Sequence, residues 1–144
     1  MFKKILFPTD FSDVSQKARD FIKGLKAEGG KEVIIIHVVD QRSFMALEQY
    51  ASGYSPQLER ELMAEAQREL DAVADGLKRA GLGVKTRLEI GIPLREILRA
   101  EEEEDVSIIV LGSHGKSNLE EVLLGSVSEK VLRKCKKPVL IVKR

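Results

Sequence analysis

The residues that suggest chemistry lie in one stretch, Val106 to Ser128, VSIIVLGSHGKSNLEEVLLGSVS. Gly112 and Gly115 stand three positions apart, and Gly125 with Ser126 follows after nine intervening residues. An apolar run, Val106 to Leu111, leads in, and a helical pattern with Val127, Val131 and Leu132 on one face leads out. The stretch therefore reads as strand, glycine loop and helix start. Glycines let a backbone come close to an anion, and a helix start adds unpaired N–H groups and the positive dipole end. The hydroxyls of Ser126 and Ser128 are further candidate donors. The plain alternative is a connection whose glycines only turn the chain. The spacing, G-x2-G-x9-G-[ST], favours a phosphate site. It matches neither G-x-x-x-x-G-K-[ST] nor a G-x-G-x-x-G after a first strand.

Composition narrows the classes. The chain has 144 residues, enough for one domain with a true core. Hydrophobic residues make up 43% and charged residues 33%, the balance of a globular protein. The net charge of +1 argues against a nucleic-acid binder. No apolar run approaches the ~20 residues of a membrane span, and the apolar part of MFKKILFPTD is too short for a signal peptide. A single cysteine, Cys135, leaves no intrachain disulfide and fits a reducing cytoplasm; it is read as an incidental thiol.

The elements that must position the glycine loop follow in order. Lys3 to Phe7 is a first strand, stopped by Pro8. Ser12 or Asp13 caps a helix with Val14, Ala18, Phe21, Ile22 and Leu25 on its inner stripe. Glu32 to Val39 is a strand buried on both faces. Residues 41–57, with Tyr50, Gly53, Tyr54 and Pro56, read as a loop with at most a helical turn. Leu58, Leu62, Ala66, Leu70, Val73 and Leu77 mark a long helix closed by Gly81 and Gly83. Val84 to Ile90 alternates as an edge strand with one wetter face. Pro93 opens a helix with Leu94, Ile97, Leu98 and Ala100 inward. The acids Glu101 to Asp105 oppose its dipole, which predicts a frayed, solvated end. Val139 to Val142, after Pro138, is a final strand. The alternation gives a single-domain α/β fold with an open, parallel five-stranded sheet and helices on both faces.

The segments GSHGKSN, LLGSVSEKV and KKPVLIVKR resemble the ATP-binding branch of the universal stress proteins. The resemblance runs over essentially the whole chain, weakest at 41–57. It implies a Rossmann-like sheet of order 3-2-1-4-5, similar to adenine nucleotide alpha hydrolases. Ligands of such sheets bind where the order reverses, here between strands one and four. The expected site is Pro8, Thr9, Asp10, Val38, Leu111, Gly112, His114, Gly115, Gly125, Ser126, Val127 and Ser128. Gly115 and Gly125 to Ser128 face the phosphates. The resemblance implies Gly112 near the ribose, and Asp10 and the Val38 backbone near the base. The implied ligand is ATP, or AMP or ADP, with Mg or Mn as the candidate metal.

Some residues carry two readings. Asp10 binds the ligand or caps the first helix. His37, inside an apolar strand, reads as a buried histidine with one backbone partner. His114 touches the ligand or faces solvent. Lys116 screens phosphate or is a surface lysine, and Phe11 reads as core. No Walker lysine or arginine finger is evident, which favours binding over fast turnover and leaves a slow ATPase as the alternative. A response-regulator receiver is excluded, because strand three ends Glu89-Ile90-Gly91 rather than in an aspartate. The wholly apolar last strand, Val139, Leu140, Ile141 and Val142, predicts a homodimer along that edge.

Overall fold

A computed structural model describes residues 1–50, 56–114 and 124–143. Its elements are β1 (Lys4–Pro8), α1 (Asp13–Leu25), β2 (Glu32–Asp40), α2 (Gln41–Tyr50), α3 (Pro56–Arg79), β3 (Gly83–Gly91), α4 (Pro93–Glu104), β4 (Ile108–Gly112), α5 (Ser126–Lys134) and β5 (Val139–Val142). The strands form one sheet of order β3-β2-β1-β4-β5 with all neighbours parallel. β1 and β4 are thus adjacent although most of the chain separates them. The crevice beyond their carboxyl ends is the switch point.

The apolar strands work because successive side chains alternate between two packed faces. Ile5, Phe7, Val33 and Ile35 join Ala18, Ile22, Leu70 and Leu77 on the α1/α3 side. Leu6, Ile34, Ile36 and Ile109 join Ile97, Ala100 and Val131 on the α4/α5 side. Each fully buried large side chain contributes about 1.5–3 kcal/mol. Three residues of the expected apolar helix stripes are exposed instead: Phe21 is 45%, Leu62 37% and Leu132 43% exposed.

Ser12 is the cap of α1; its side chain accepts the Ser15 N–H. Pro8 is the last ladder residue of β1 rather than the one beyond it, paired with Ile36. Its missing donor costs nothing at a strand end. Gly81 takes a φ of 94°, closing the turn after α3.

Two expectations need correction. Residues 41–50 form a helix, α2, rather than a loop. The reason lies in the preceding strand: the Asp40 carboxylate accepts the Arg42 N–H at 3.0 Å, satisfying a first-turn donor. The helix breakers of the segment, Gly53 and Pro56, both follow this helix in the sequence. Gly53 and Tyr54 lie outside the described residues.

The acidic end of α4 does not fray. The helix runs through Glu104 and ends with Asp105 at a φ of 48°. Glu101 is 4% exposed. Its oxygens accept both Lys136 N–H (3.1 Å each) and Lys137 N–H (3.3 Å). Glu103 and Glu104 pair with Arg87, and Glu104 also with Lys85. These partners from β3 and the α5–β5 turn outweigh the unfavourable dipole. They also explain the wetter face of β3: Lys85 and Arg87 meet acids of α4 instead of a hydrophobic layer.

Candidate functional site

The β1–α1 turn builds one wall of the crevice. Thr9 N–H donates to the Ile36 carbonyl at 2.9 Å, fastening the turn to β2. Asp10 Oδ1 accepts the Ser12 N–H at 3.0 Å. Asp10 therefore braces the cap of α1 rather than being the cap, and it still lines the crevice. Phe11 has a φ of 64°, uncommon for a bulky residue. Its N–H donates to Thr9 Oγ1 at 3.1 Å, and its ring lies 4.3 Å from that of His37. His37 Nδ1 bonds the Thr9 carbonyl at 2.7 Å. A carbonyl only accepts, so Nδ1 carries the proton. The backbone partner expected for His37 is present, and the ring also borders the crevice.

β4 and α5 build the other wall. Ser113 is 1% exposed; its N–H donates to the Val142 carbonyl at 2.9 Å and its carbonyl accepts the Gly125 N–H at 2.7 Å. These bonds pin both ends of the glycine segment beside β5. Gly125 is the residue before α5, with extended φ of −67° and ψ of 160°, and among the described residues no side chain caps the helix. The first-turn N–H groups belong to Ser126, Val127 and Ser128, which line the crevice. His114 lines it as well, with Nδ1 at 2.8 Å from Ser113 Oγ.

Two of the expected residues carry structural duties. Ser128 is buried, and its hydroxyl donates to the Gly112 carbonyl at 2.8 Å. That spends its only proton, so the hydroxyl is not an extra donor to a ligand. Gly112 is required by packing: a Cβ there would stand 2.9 Å from Val14 Cγ1. The first glycine of the motif is therefore explained by α1 crossing close over β4, whatever else it does.

The two walls enclose a cleft of about 190 Å³. Pro8, Thr9, Asp10, Val38, Leu111, Gly112, His114, Gly125, Ser126, Val127 and Ser128 all line it. Gly115 and Lys116 lie outside the described residues. Ser15, Ile36, His37, Pro93 and Ile97, none of them among the expected site residues, complete the lining. Ile36, Val38, Leu111, Ile97 and Val127 give the cleft an apolar flank, and Asp10 is a carboxylate at its mouth. From the sequence, Pro93 reads only as a helix start and Ile97 only as core. A helix edge that leans over a neighbouring strand leaves no local signal.

Cys135 lies outside the cleft. Burial, and secondarily the Glu101 carboxylate, push its thiol up. A raised thiol is a poor nucleophile, as expected of an incidental one.

Strand order and the alternation of strands with helices define an open, parallel α/β domain with a cleft at its switch point. The universal stress protein family model matches residues 1–143, and the chain belongs to that family. It is similar to universal stress protein MJ0577 of Methanocaldococcus jannaschii, at 40% identity over 156 aligned residues, spanning 100% of this chain and 96% of that protein. The solved structure of MJ0577 aligns with a TM-score of 0.88 at 43% identity, covering 100% of this chain and 97% of that one. A universal stress protein from Archaeoglobus fulgidus in complex with dAMP aligns at a TM-score of 0.68 and 20% identity, covering 99% and 98% of the two chains. A universal stress protein in complex with cAMP aligns at 0.69 and 24%, covering 99% and 97%. At these identities the last two establish the shared fold. Among the described residues, no helix is long and apolar enough to cross a membrane.

Proposed function

We propose that this protein holds an adenine nucleotide, ATP or its AMP or ADP remnant, in the β1/β4 cleft. It then acts in the cytoplasm as a nucleotide-dependent regulatory module of the stress response. The observation that carries this reading is the convergence of two distant walls on one cleft. Asp10 comes from one wall, and the start of α5 comes from the other. Phosphates sit at the N–H groups of Ser126 to Ser128, where the dipole favours negative charge. The base packs on the apolar flank of Ile36, Val38 and Ile97, and Asp10 accepts from an amine or a ribose hydroxyl. Relatives of the same fold solved with dAMP and cAMP support an adenine nucleotide as the class. A divalent ion, Mg or Mn, would be held by the phosphates and neutralise part of their charge, with Asp10 accepting from its bound water as the alternative to a base or ribose contact.

The experiment is direct. The purified protein is denatured and the released nucleotide identified by chromatography, then ATP is titrated calorimetrically into stripped protein. The absence of both a released nucleotide and any binding heat would overturn the assignment. The second reading is a slow ATPase, favoured by Asp10 and His114 both bordering the cleft. Turnover far below the ~1–100 s⁻¹ of kinases is expected. Phosphate release at such rates, abolished by Asp10→Ala, would move the enzyme reading ahead. The free edge of β5 supports a homodimer as the working assembly.

A further inference from the structure

A second cleft, of about 240 Å³, lies on the opposite side of the β1–α1 turn, between α1 and α3. Its apolar lining is Phe7, Phe11, Ala72 and Val73, and its charged lining is Arg19 from α1 and Glu69 from α3. An apolar cavity of about 150 Å³ accepts a benzene ring, so this one has room for a ring with a short polar tail. The two charges are of opposite sign and stand on facing helices. Among the described residues Arg19 pairs only with its sequence neighbour, the exposed Asp20, at 3.2 Å. Such a pair is weak and exchangeable. Glu69 makes no ion pair among the described residues.

The second cleft is also joined to the first. Thr9 and Ser15 line both clefts, and their hydroxyls share a hydrogen bond. Phe11, held at positive φ, faces the second cleft while its ring rests on His37, which lines the first. One turn thus presents Asp10 to one cavity and Phe11 to the other.

We propose that the α1/α3 cleft is a second ligand site for a small zwitterion with an apolar or aromatic body, of the amino-acid type. Its carboxylate meets Arg19, its ammonium meets Glu69, and its body packs on Phe11 and Val73. A ligand packed on Phe11 braces the turn that also carries Asp10 and so raises affinity in the first cleft. This goes beyond the nucleotide reading and is tested without it.

The probe is L-phenylalanine, titrated into the nucleotide-free full chain and followed by amide chemical shifts. Saturating shifts at Phe11, Gln16, Ala72 and Val73 below about 10 mM are expected. Ala72→Trp, which fills the cleft from an exposed helix position, is expected to abolish them. Arg19→Met and Glu69→Gln are each expected to weaken binding about tenfold. Phenylacetate and phenethylamine, each lacking one charge, should bind correspondingly less well. No saturation, or shifts unchanged in Ala72→Trp, overturns the site. With the probe saturating, ATP affinity should rise about fivefold. Unchanged ATP affinity, in protein that binds both molecules, overturns the coupling. Protein that binds phenylalanine but no ATP would instead discard the nucleotide reading and leave the second site standing.

Discussion

The hydroxyl of Ser128 donates to the carbonyl of Gly112 across 2.8 Å, joining the first turn of α5 to the end of β4. Ser126, two residues earlier, is exposed. The two serines of the motif therefore have different work. Ser128→Ala should cost about 1–2 kcal/mol, because the Gly112 carbonyl loses its hydroxyl partner. Ser126→Ala should leave stability within about 0.5 kcal/mol and weaken ATP binding. Urea melts alongside calorimetric titrations of both variants check this. Equal stability of the two variants would contradict the division.

The motif's glycines separate in the same way. Gly125→Val should lower ATP affinity at least tenfold, about 1.4 kcal/mol, by blocking the approach of phosphate to α5 with the fold intact. Gly112→Ala should instead destabilise the fold by about 1–3 kcal/mol, since its methyl is forced against Val14. Calorimetry showing parental ATP affinity for Gly125→Val would sink the phosphate assignment. A Gly112→Ala protein as stable as the parent would show that α1 can shift.

What the sequence made legible was local or strictly periodic. The run Val33 to Ile36 announces a strand covered on both faces, and Ser12 and Pro93 mark helix starts by their own chemistry. The cleft was legible because its residues sit at strand ends and a helix start, positions that topology alone brings together. What stayed hidden depends on partners far along the chain. α2 is capped from the end of β2 by Asp40, a residue outside the segment that looked like a loop. Glu101 looks like one of five solvated acids until the α5–β5 turn delivers two N–H groups to it. Gly112 reads as a ligand glycine, and only the crossing of α1 reveals its packing duty. Ser15 and Ile97 enter the cleft from helix faces that otherwise read as core.

The network at the β3 edge makes a pH prediction. The hydrogen bond from Lys85 chiefly holds Glu104 below its ordinary value of 4.5, against the effect of burial and with the charges of Lys85 and Arg87 helping. A depressed folded value means stability that is full above about pH 4.5 and lost as pH falls through the folded value. Glu104→Gln should therefore be less stable than the parent at pH 7, by about 1–2 kcal/mol, between exposed and buried pairs. The difference should shrink steadily below pH 4.5. Denaturant melts of both proteins at several pH values would show it. A gap unchanged down to about pH 3 would mean that the charge of Glu104 contributes nothing.

The last prediction concerns the free edge of β5. The carbonyls of Pro138 and Val142 accept from Ile109 of β4 and from Ser113 just beyond it. Alternation then turns the N–H and C=O groups of Val139 and Ile141 outward, away from β4. Val139, Leu140 and Ile141 are only half-buried, and Val142 is buried. An edge this apolar, with outward backbone groups unopposed by charge or bulge along its length, accepts another strand. The closed arrangement is a two-fold pairing of β5 with its own copy, antiparallel. Ile141→Pro is a sharp test, because it removes an outward donor and leaves the inward ladder to β4 untouched; proline is tolerated at such edge positions. The parent should sediment as a dimer and Ile141→Pro as a folded monomer with a parental helical spectrum. Sedimentation equilibrium giving a monomer for the parent at high micromolar concentration rules the dimer out, and a dimeric Ile141→Pro would move the interface away from β5.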